Sequence, residues 1–147
     1  MISALNSVEI KRPVSEVFQF VADPSNEPKW HTDIVRAALE PAGAPGPGKV
    51  LKATFRTMGR TSDAVADVSE FEPDRRIVYR FRGRTMGMLP TLTYSFEPVG
   101  DRTRFTRVLA VEPYGLMRLL APLMGGMLRS GNAKFARNLK QRLEATR

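Results

Sequence analysis

PTLTYSFEPVGDRTRFTRVLAVE, residues 90–112, decides the fold. Leu92, Tyr94 and Phe96 alternate with Thr91, Thr93 and Ser95, and beyond the PVGD turn Phe105, Leu109 and Val111 share one parity. A period of two with apolar residues on one side only is the pattern of antiparallel strands covered on one face. Arg107 falls on the apolar parity. It points inward if the strand is regular and outward if a bulge intervenes, and the pattern leaves both readings open.

The same alternation extends upstream. RIVYRFRG (76–83) sets Ile77, Tyr79 and Phe81 against Val78, Arg80 and Arg82, and KVLKATFRTM (49–58) sets Leu51, Ala53 and Phe55 against Lys52, Thr54 and Arg56. Gly59 and Arg60 permit a hairpin into TSDAVADVSEFE (61–72), and PDRR (73–76) turns the chain again. PAGAPGPG (41–48) holds three prolines and three glycines and reads as a loop. Before it, SVEIKRPVSEVFQFVAD (7–23) alternates at Val8 and Ile10, then takes helical spacing through Val17, Phe18 and Val21. A second short helix is expected from Pro24 to about Trp30, followed by extended TDIVRAALEP (32–41).

Downstream of about Tyr114 the spacing is helical to the end. Leu120, Met124, Met127, Phe135, Leu139 and Leu143 form one apolar stripe, while Arg118, Arg129, Lys140 and Arg147 nearly eclipse one another elsewhere on the cylinder. Pro122, Gly125, Gly126 and Gly131 are expected to bend or break its first third.

The order is one strand, two short helices, some six antiparallel strands and one long helix, an α+β plan in a single domain over 1–147. Only the terminal helix is long enough to cover the apolar face of the sheet. A curved sheet closed over one helix leaves room that its side chains do not fill, and a cavity lined by aromatics and methionines is the expected result.

Composition excludes several chemistries. With no cysteine there are no disulfides, thiolate sites or cysteine nucleophiles, and a single histidine without helically spaced partners gives no transition-metal site. No motif calls for a cofactor. The net charge of +8 is uneven, −2 over residues 1–73 and +10 over 74–147. Because the aromatics occupy the parity opposite to Lys52, Arg56, Arg80, Arg82 and Arg104, nucleic acid is not expected as a partner. A transient anionic membrane surface suits a basic carrier of apolar ligands. The opening MISALNSVEIKRP has no apolar leader-like run, so a cytoplasmic location is expected.

ALNSVEIKRPVSEVFQFVADPSNEPKWHTDI, GPGKVLKATFR, VSEFEPDRRIVYRF, FEPVGDRTRFTR and the closing GLMRLLAPLM helix together resemble the START-domain superfamily, in its bacterial polyketide cyclase/dehydrase and lipid-transport (SRPBCC) branch. The resemblance covers almost the whole chain. It implies a helix-grip fold, a curved sheet of about six or seven strands around a long C-terminal helix, with a hydrophobic cavity between them. It implies no fixed catalytic motif.

The residues nominated for a ligand are Trp30, Phe55, Tyr79, Phe81, Tyr94, Phe96, Arg107, Leu120, Met124 and Met127. Trp30 and His31, each unique in the chain, stand just before Asp33. They read either as an acid/base pair of His31 and Asp33 or as a wall, Trp30 packed at the rim or inner wall with His31 facing water. Tyr79, Tyr94 and Arg107 either pack with their polar ends at the rim or orient a ligand oxygen. Met86 and Met88, in a glycine-flanked loop, are read as a mobile gate. Three functions stay open: binding or transfer of a small hydrophobic ligand (lipid, polyketide or isoprenoid-like); a polyketide cyclase or dehydratase working through Tyr94, Arg107 or His31; and an interaction module without a ligand.

Overall fold

The computed structural model of the chain describes residues 2–43, 45–57, 59–83, 88–113 and 115–145. Strand β1 (Ile2–Ile10) leads through helix α1 (Val14–Ala22) and a 3-10 helix (Pro24–Lys29) to strands β2 (Ile34–Glu40), β3 (Val50–Thr57), β4 (Arg60–Glu72), β5 (Arg76–Phe81), β6 (Met88–Val99) and β7 (Arg102–Pro113), and then to helix α2 (Met117–Ala145). The sheet order is β1-β7-β6-β5-β4-β3-β2, antiparallel throughout, curved and not closed. The two short helices carry the chain from one edge of the sheet to the other, and hairpins bring it back until β7 pairs with β1. This is the helix-grip plan.

Local chemistry explains the crossover. In α1 the residues at helical spacing, Val17, Phe18, Val21 and Ala22, are the buried ones. The Asp23 carboxylate then accepts from Ser25 N at 3.0 Å and from Ser25 Oγ at 2.7 Å, and Pro24 occupies the first turn of the 3-10 helix. The carbonyl of Glu27 accepts from both Trp30 N (3.1 Å) and His31 N (2.7 Å), which closes that helix.

Hairpins follow the expected turns, with Gly59 (φ 79°) and Gly100 (φ 63°) in the left-handed region that favours glycine. Bulges interrupt β2 at Ile34/Arg36 and β4 at Val68/Glu70. None occurs in β7, whose register is continuous against β1 and β6, and so Arg107 keeps its inward parity. Lys52, Arg56, Arg80, Arg82 and Arg104 face outward and exposed.

Helix α2 is continuous, so Pro122 and the glycines do not break it. Its second half seats Leu139 and Leu143 in a core with Trp30, Tyr94 and Phe105. Edge-on aromatic contacts tie that core together, including Phe18 to Phe96 at 5.1 Å and Trp30 to Phe105 at 6.1 Å between ring centres. The loop read as a gate around Met86 falls on residues 84–87, outside the described residues, as does Arg147.

Candidate functional site

Under the middle of α2 the sheet floor is made of small residues. Pairing sets Ala37 beside Ala53 and Ala53 beside Ala64, a row of three alanines across β2, β3 and β4. Larger residues flank the row: Leu51 pairs with Leu39 on one side, Phe55 with Ile34 on the other. Methyl groups cannot reach the helix that covers them, and a cavity of about 400 Å³ lies above them. Its walls include Phe55, Phe81, Leu92 and Leu109 from the sheet, and Met127, Leu128, Gly131 and Phe135 from α2.

One polar cluster faces this apolar space. Glu27, His31, Tyr79, Tyr94 and Arg107 all line it. The Tyr94 hydroxyl donates to Glu27 Oε1 at 3.2 Å, with Oε2 at 3.4 Å. Tyr94 and Arg107 are cross-strand partners on β6 and β7. The Arg107 guanidinium lies over the Phe135 ring at 5.2 Å and donates through Nη1 to Asn132 Oδ1. Asn132 is itself fixed by donating to Asn6 Oδ1 (2.7 Å) and to the carbonyls of Arg107 (2.8 Å) and Ala4 (3.4 Å). His31 stacks on Phe135, ring centres 3.9 Å apart and 17° from parallel.

Burial sets the charge states. Removal from water pushes the Glu27 carboxyl up to about 7, against the opposing pull of Arg107 and of the Tyr94 hydrogen bond. Burial, reinforced by the positive charge of Arg107, holds His31 well below the usual imidazole range, so the ring is neutral at pH 7. The Tyr94 and Tyr79 hydroxyls are pushed up, first by burial and then by Glu27, and remain protonated. At neutral pH the cluster therefore offers one carboxyl poised between its two forms, one fixed cation, two hydroxyl donors and a neutral imidazole. His31 Nδ1 and Arg107 Nε are buried and have no hydrogen-bond partner among the described residues, which leaves capacity for a guest.

Of the residues nominated from the sequence, Phe55, Tyr79, Phe81, Tyr94, Arg107 and Met127 line the cavity. The other four do not. Trp30 is fully buried behind Tyr94, 5.6 Å between ring centres, in the core and neither at the rim nor in the cavity wall. Phe96 packs between Phe18 and Phe105 at the end of the sheet covered by α1. Met124 is buried one turn before Leu128, outside the cavity wall, and Leu120 turns to solvent. His31 does not face water: it is 6% exposed, held under Phe135. Asp33 lines the cavity but does not orient His31, since Nδ1 is unpartnered.

Glu27 and Asn132 were not singled out from the sequence. Asn132 had a readable signal, because it interrupts the inward stripe Leu139, Phe135, Leu128 at helical spacing. Glu27 had only its distance of four residues from His31 in a short, proline-bounded turn. Among the described residues no three of His, Cys, Asp and Glu converge as metal ligands.

The family model described as polyketide cyclase / dehydrase and lipid transport matches residues 1–144. No curated protein matches the chain. Among solved structures, the di-domain ARO/CYC BexL from the BE-7585A biosynthetic pathway is similar at TM-score 0.81 and 18% identity, over 98% of this chain and 47% of that one, so the present chain spans about half of it. A START superfamily protein from Mycobacterium smegmatis is similar at TM-score 0.80 and 18% identity, with 97% of each chain covered. TTHA0849 from Thermus thermophilus follows at 0.79 and 16%, again over 97% of each. At these identities the likeness is one of fold.

Proposed function

The chain belongs to the polyketide cyclase / dehydrase and lipid transport family, and from that premise we propose that it binds a small, largely apolar molecule bearing an oxygen function, seated in the cavity under α2. The observation that carries this reading is an apolar cavity of about 400 Å³ with the linked polar groups Glu27, Tyr94 and Arg107 in its wall. That volume falls within the roughly 300–1,000 Å³ of small-molecule sites. A ketone, phenol or enol oxygen accepts from the unpartnered Nε–H of Arg107, while the remainder lies on Phe55, Phe81, Leu92 and the alanine row. The space weighs against an interaction module without a ligand, which would fill its interior with its own side chains.

Solvent extraction of freshly purified protein, with mass spectrometry of the extract, tests the proposal. Ala64→Phe is the control, because it places a ring in the row that makes the space. A compound present in the wild type and lost in Ala64→Phe is expected, together with a fall of about tenfold or more in uptake of an apolar fluorescent probe, ~1.4 kcal/mol. Identical extracts and identical probe uptake by the two proteins would overturn it.

One observation favours a second, catalytic reading: the Glu27 carboxyl, held near 7, faces the space where a substrate would sit. A carboxylate there takes a proton from the carbon next to a ketone, and the electron pair moves onto the oxygen held by Arg107. This is the opening step of a cyclisation or dehydration of a poly-β-keto chain. Under this reading Glu27→Gln lowers deuterium exchange next to the carbonyl of a bound diketone by about 10²–10⁴-fold while probe binding persists. Unchanged exchange in Glu27→Gln would leave binding alone.

A further inference from the structure

The first turns of α2 are apolar on two faces. One faces the protein, where Met124 is buried and Leu128 lines the cavity. The other consists of Leu116, Leu119, Leu120, Leu123 and Met127, at spacings i, i+3, i+4, i+7 and i+11, a single stripe at 3.6 residues per turn. Leu116, Leu119, Leu123 and Met127 are 82%, 78%, 77% and 71% exposed. Scattered exposed leucines need no explanation, whereas a continuous stripe of them marks a surface that meets something.

Charge decides between occupants. Helix α2 carries six basic residues and one acidic residue, Glu144. Lys134 and Arg137 continue the exposed stripe beyond Met127, at i+18 and i+21, and both are exposed. Among the described residues neither of them, nor Arg118 or Arg129, has an ion-pair partner. A second copy laid parallel along the same face would bring these cations against each other, and one laid antiparallel would set them over the leucines. An anionic surface would neutralise them.

We propose that the stripe Leu116, Leu119, Leu120, Leu123 and Met127, with Lys134 and Arg137, docks on an anionic lipid bilayer, the leucines entering the headgroup boundary and the two cations meeting lipid phosphates. No described helix is long and apolar enough to cross a membrane, so α2 lies in the interface plane. Met127 belongs both to this stripe and to the cavity wall, so docking puts that side of the cavity against the lipid. The surface does not depend on the cavity holding a ligand, and uptake of the apolar probe reports on the cavity separately.

Flotation with vesicles of equal parts phosphatidylcholine and phosphatidylglycerol tests it, beside pure phosphatidylcholine vesicles and sedimentation of the free protein. The wild type is expected to float with the anionic vesicles, less as salt is raised. Lys134→Gln with Arg137→Gln should weaken binding about 25-fold, ~5-fold per cation. Leu119→Glu with Leu123→Glu should weaken it about 100-fold or more, with probe uptake unchanged as evidence of an intact fold. Absence of flotation at low salt would overturn the proposal. So would binding that survives Leu119→Glu with Leu123→Glu, since charge alone would then explain it. A wild-type dimer that these two substitutions dissociate, without vesicle binding, would instead assign the face to a second copy of the chain.

Discussion

Glu27→Gln is expected to stabilise the protein by about 3 kcal/mol near pH 8 and to leave it close to the wild type near pH 4. The folded chain holds the Glu27 proton up to about 7, whereas an unfolded chain releases it near 4.5. Between those values the folded state binds more protons, so stability falls as pH rises, by about 1.4 kcal/mol per unit, and stays lower above the upper value. Glutamine keeps the shape and an oxygen for the Tyr94 hydroxyl and does not titrate. His31 acts in the opposite direction. Its folded proton affinity lies well below 6.5, so the unfolded state binds the extra proton at low pH and stability drops as pH falls below 6.5. Over the span where both windows overlap the two slopes oppose, and the wild type should show little net contribution from the pair. Glu27→Gln exposes the His31 slope, and His31→Phe, which retains a ring to stack on Phe135, exposes the Glu27 slope. The groups that modulate Glu27 are Arg107 on β7 and Tyr94 on β6, and the Tyr94 hydroxyl, pushed up by burial, stays protonated across this range. Urea unfolding of the three proteins across the pH series measures this directly. A difference between wild type and Glu27→Gln that is the same at both ends of the series would refute the assignment. A residue that lowers stability at the pH where it is ionised, in a cavity wall, is what a functional site looks like energetically.

The strands were legible because a period of two survives without tertiary information. Parity alone places Tyr79 and Tyr94 inward, whereas Arg107 stays open until the absence of a bulge in β7 decides it. The alanine row was visible only in pieces, since Ala53 shows its parity in one strand but its alignment with Ala37 and Ala64 requires strand pairing. Glu27 was not legible, because a six-residue 3-10 helix has no period from which to infer a facing direction. The depth of Trp30 and His31 depended on that same segment. Leu120 and Met124 lie outside the cavity wall, and for Leu120 the reason is that the first third of α2 is apolar on two faces, so spacing alone does not tell Leu120, which faces solvent, from Leu128, which faces the cavity. Phe96 lies inward as its parity predicts, but a long sheet has a filled end and a hollow end, and parity does not distinguish them.

Asn132→Leu should destabilise the protein by about 3 kcal/mol, although leucine is close to asparagine in size and the position is a fully buried helical one. Arg107 is 2% exposed, and Asn132 supplies its side-chain acceptor through Oδ1. Without that oxygen a full charge remains in the core with the face of Phe135, the Tyr94 hydroxyl and the Glu27 carboxyl, and without its amide acceptor. The cost then comes from a stranded cation and not from shape, and a double substitution separates the two. Arg107→Leu combined with Asn132→Leu removes the charge together with its partner, so a buried polar pair is replaced by an apolar one. The double variant should be more stable than Asn132→Leu alone, with a coupling of about 2 kcal/mol. The comparison belongs near pH 5.5, where Glu27 is mostly protonated and does not itself become an unpaired charge when Arg107 is lost. Simple additivity of the two substitutions would show that the asparagine serves β1 through Asn6 and Ala4 and not the arginine. If the coupling holds, the double variant also isolates what the buried cation is for. It should keep its uptake of a pure hydrocarbon probe and lose affinity for a probe of the same size bearing a ketone, because the apolar wall is intact while the group that meets the oxygen is gone.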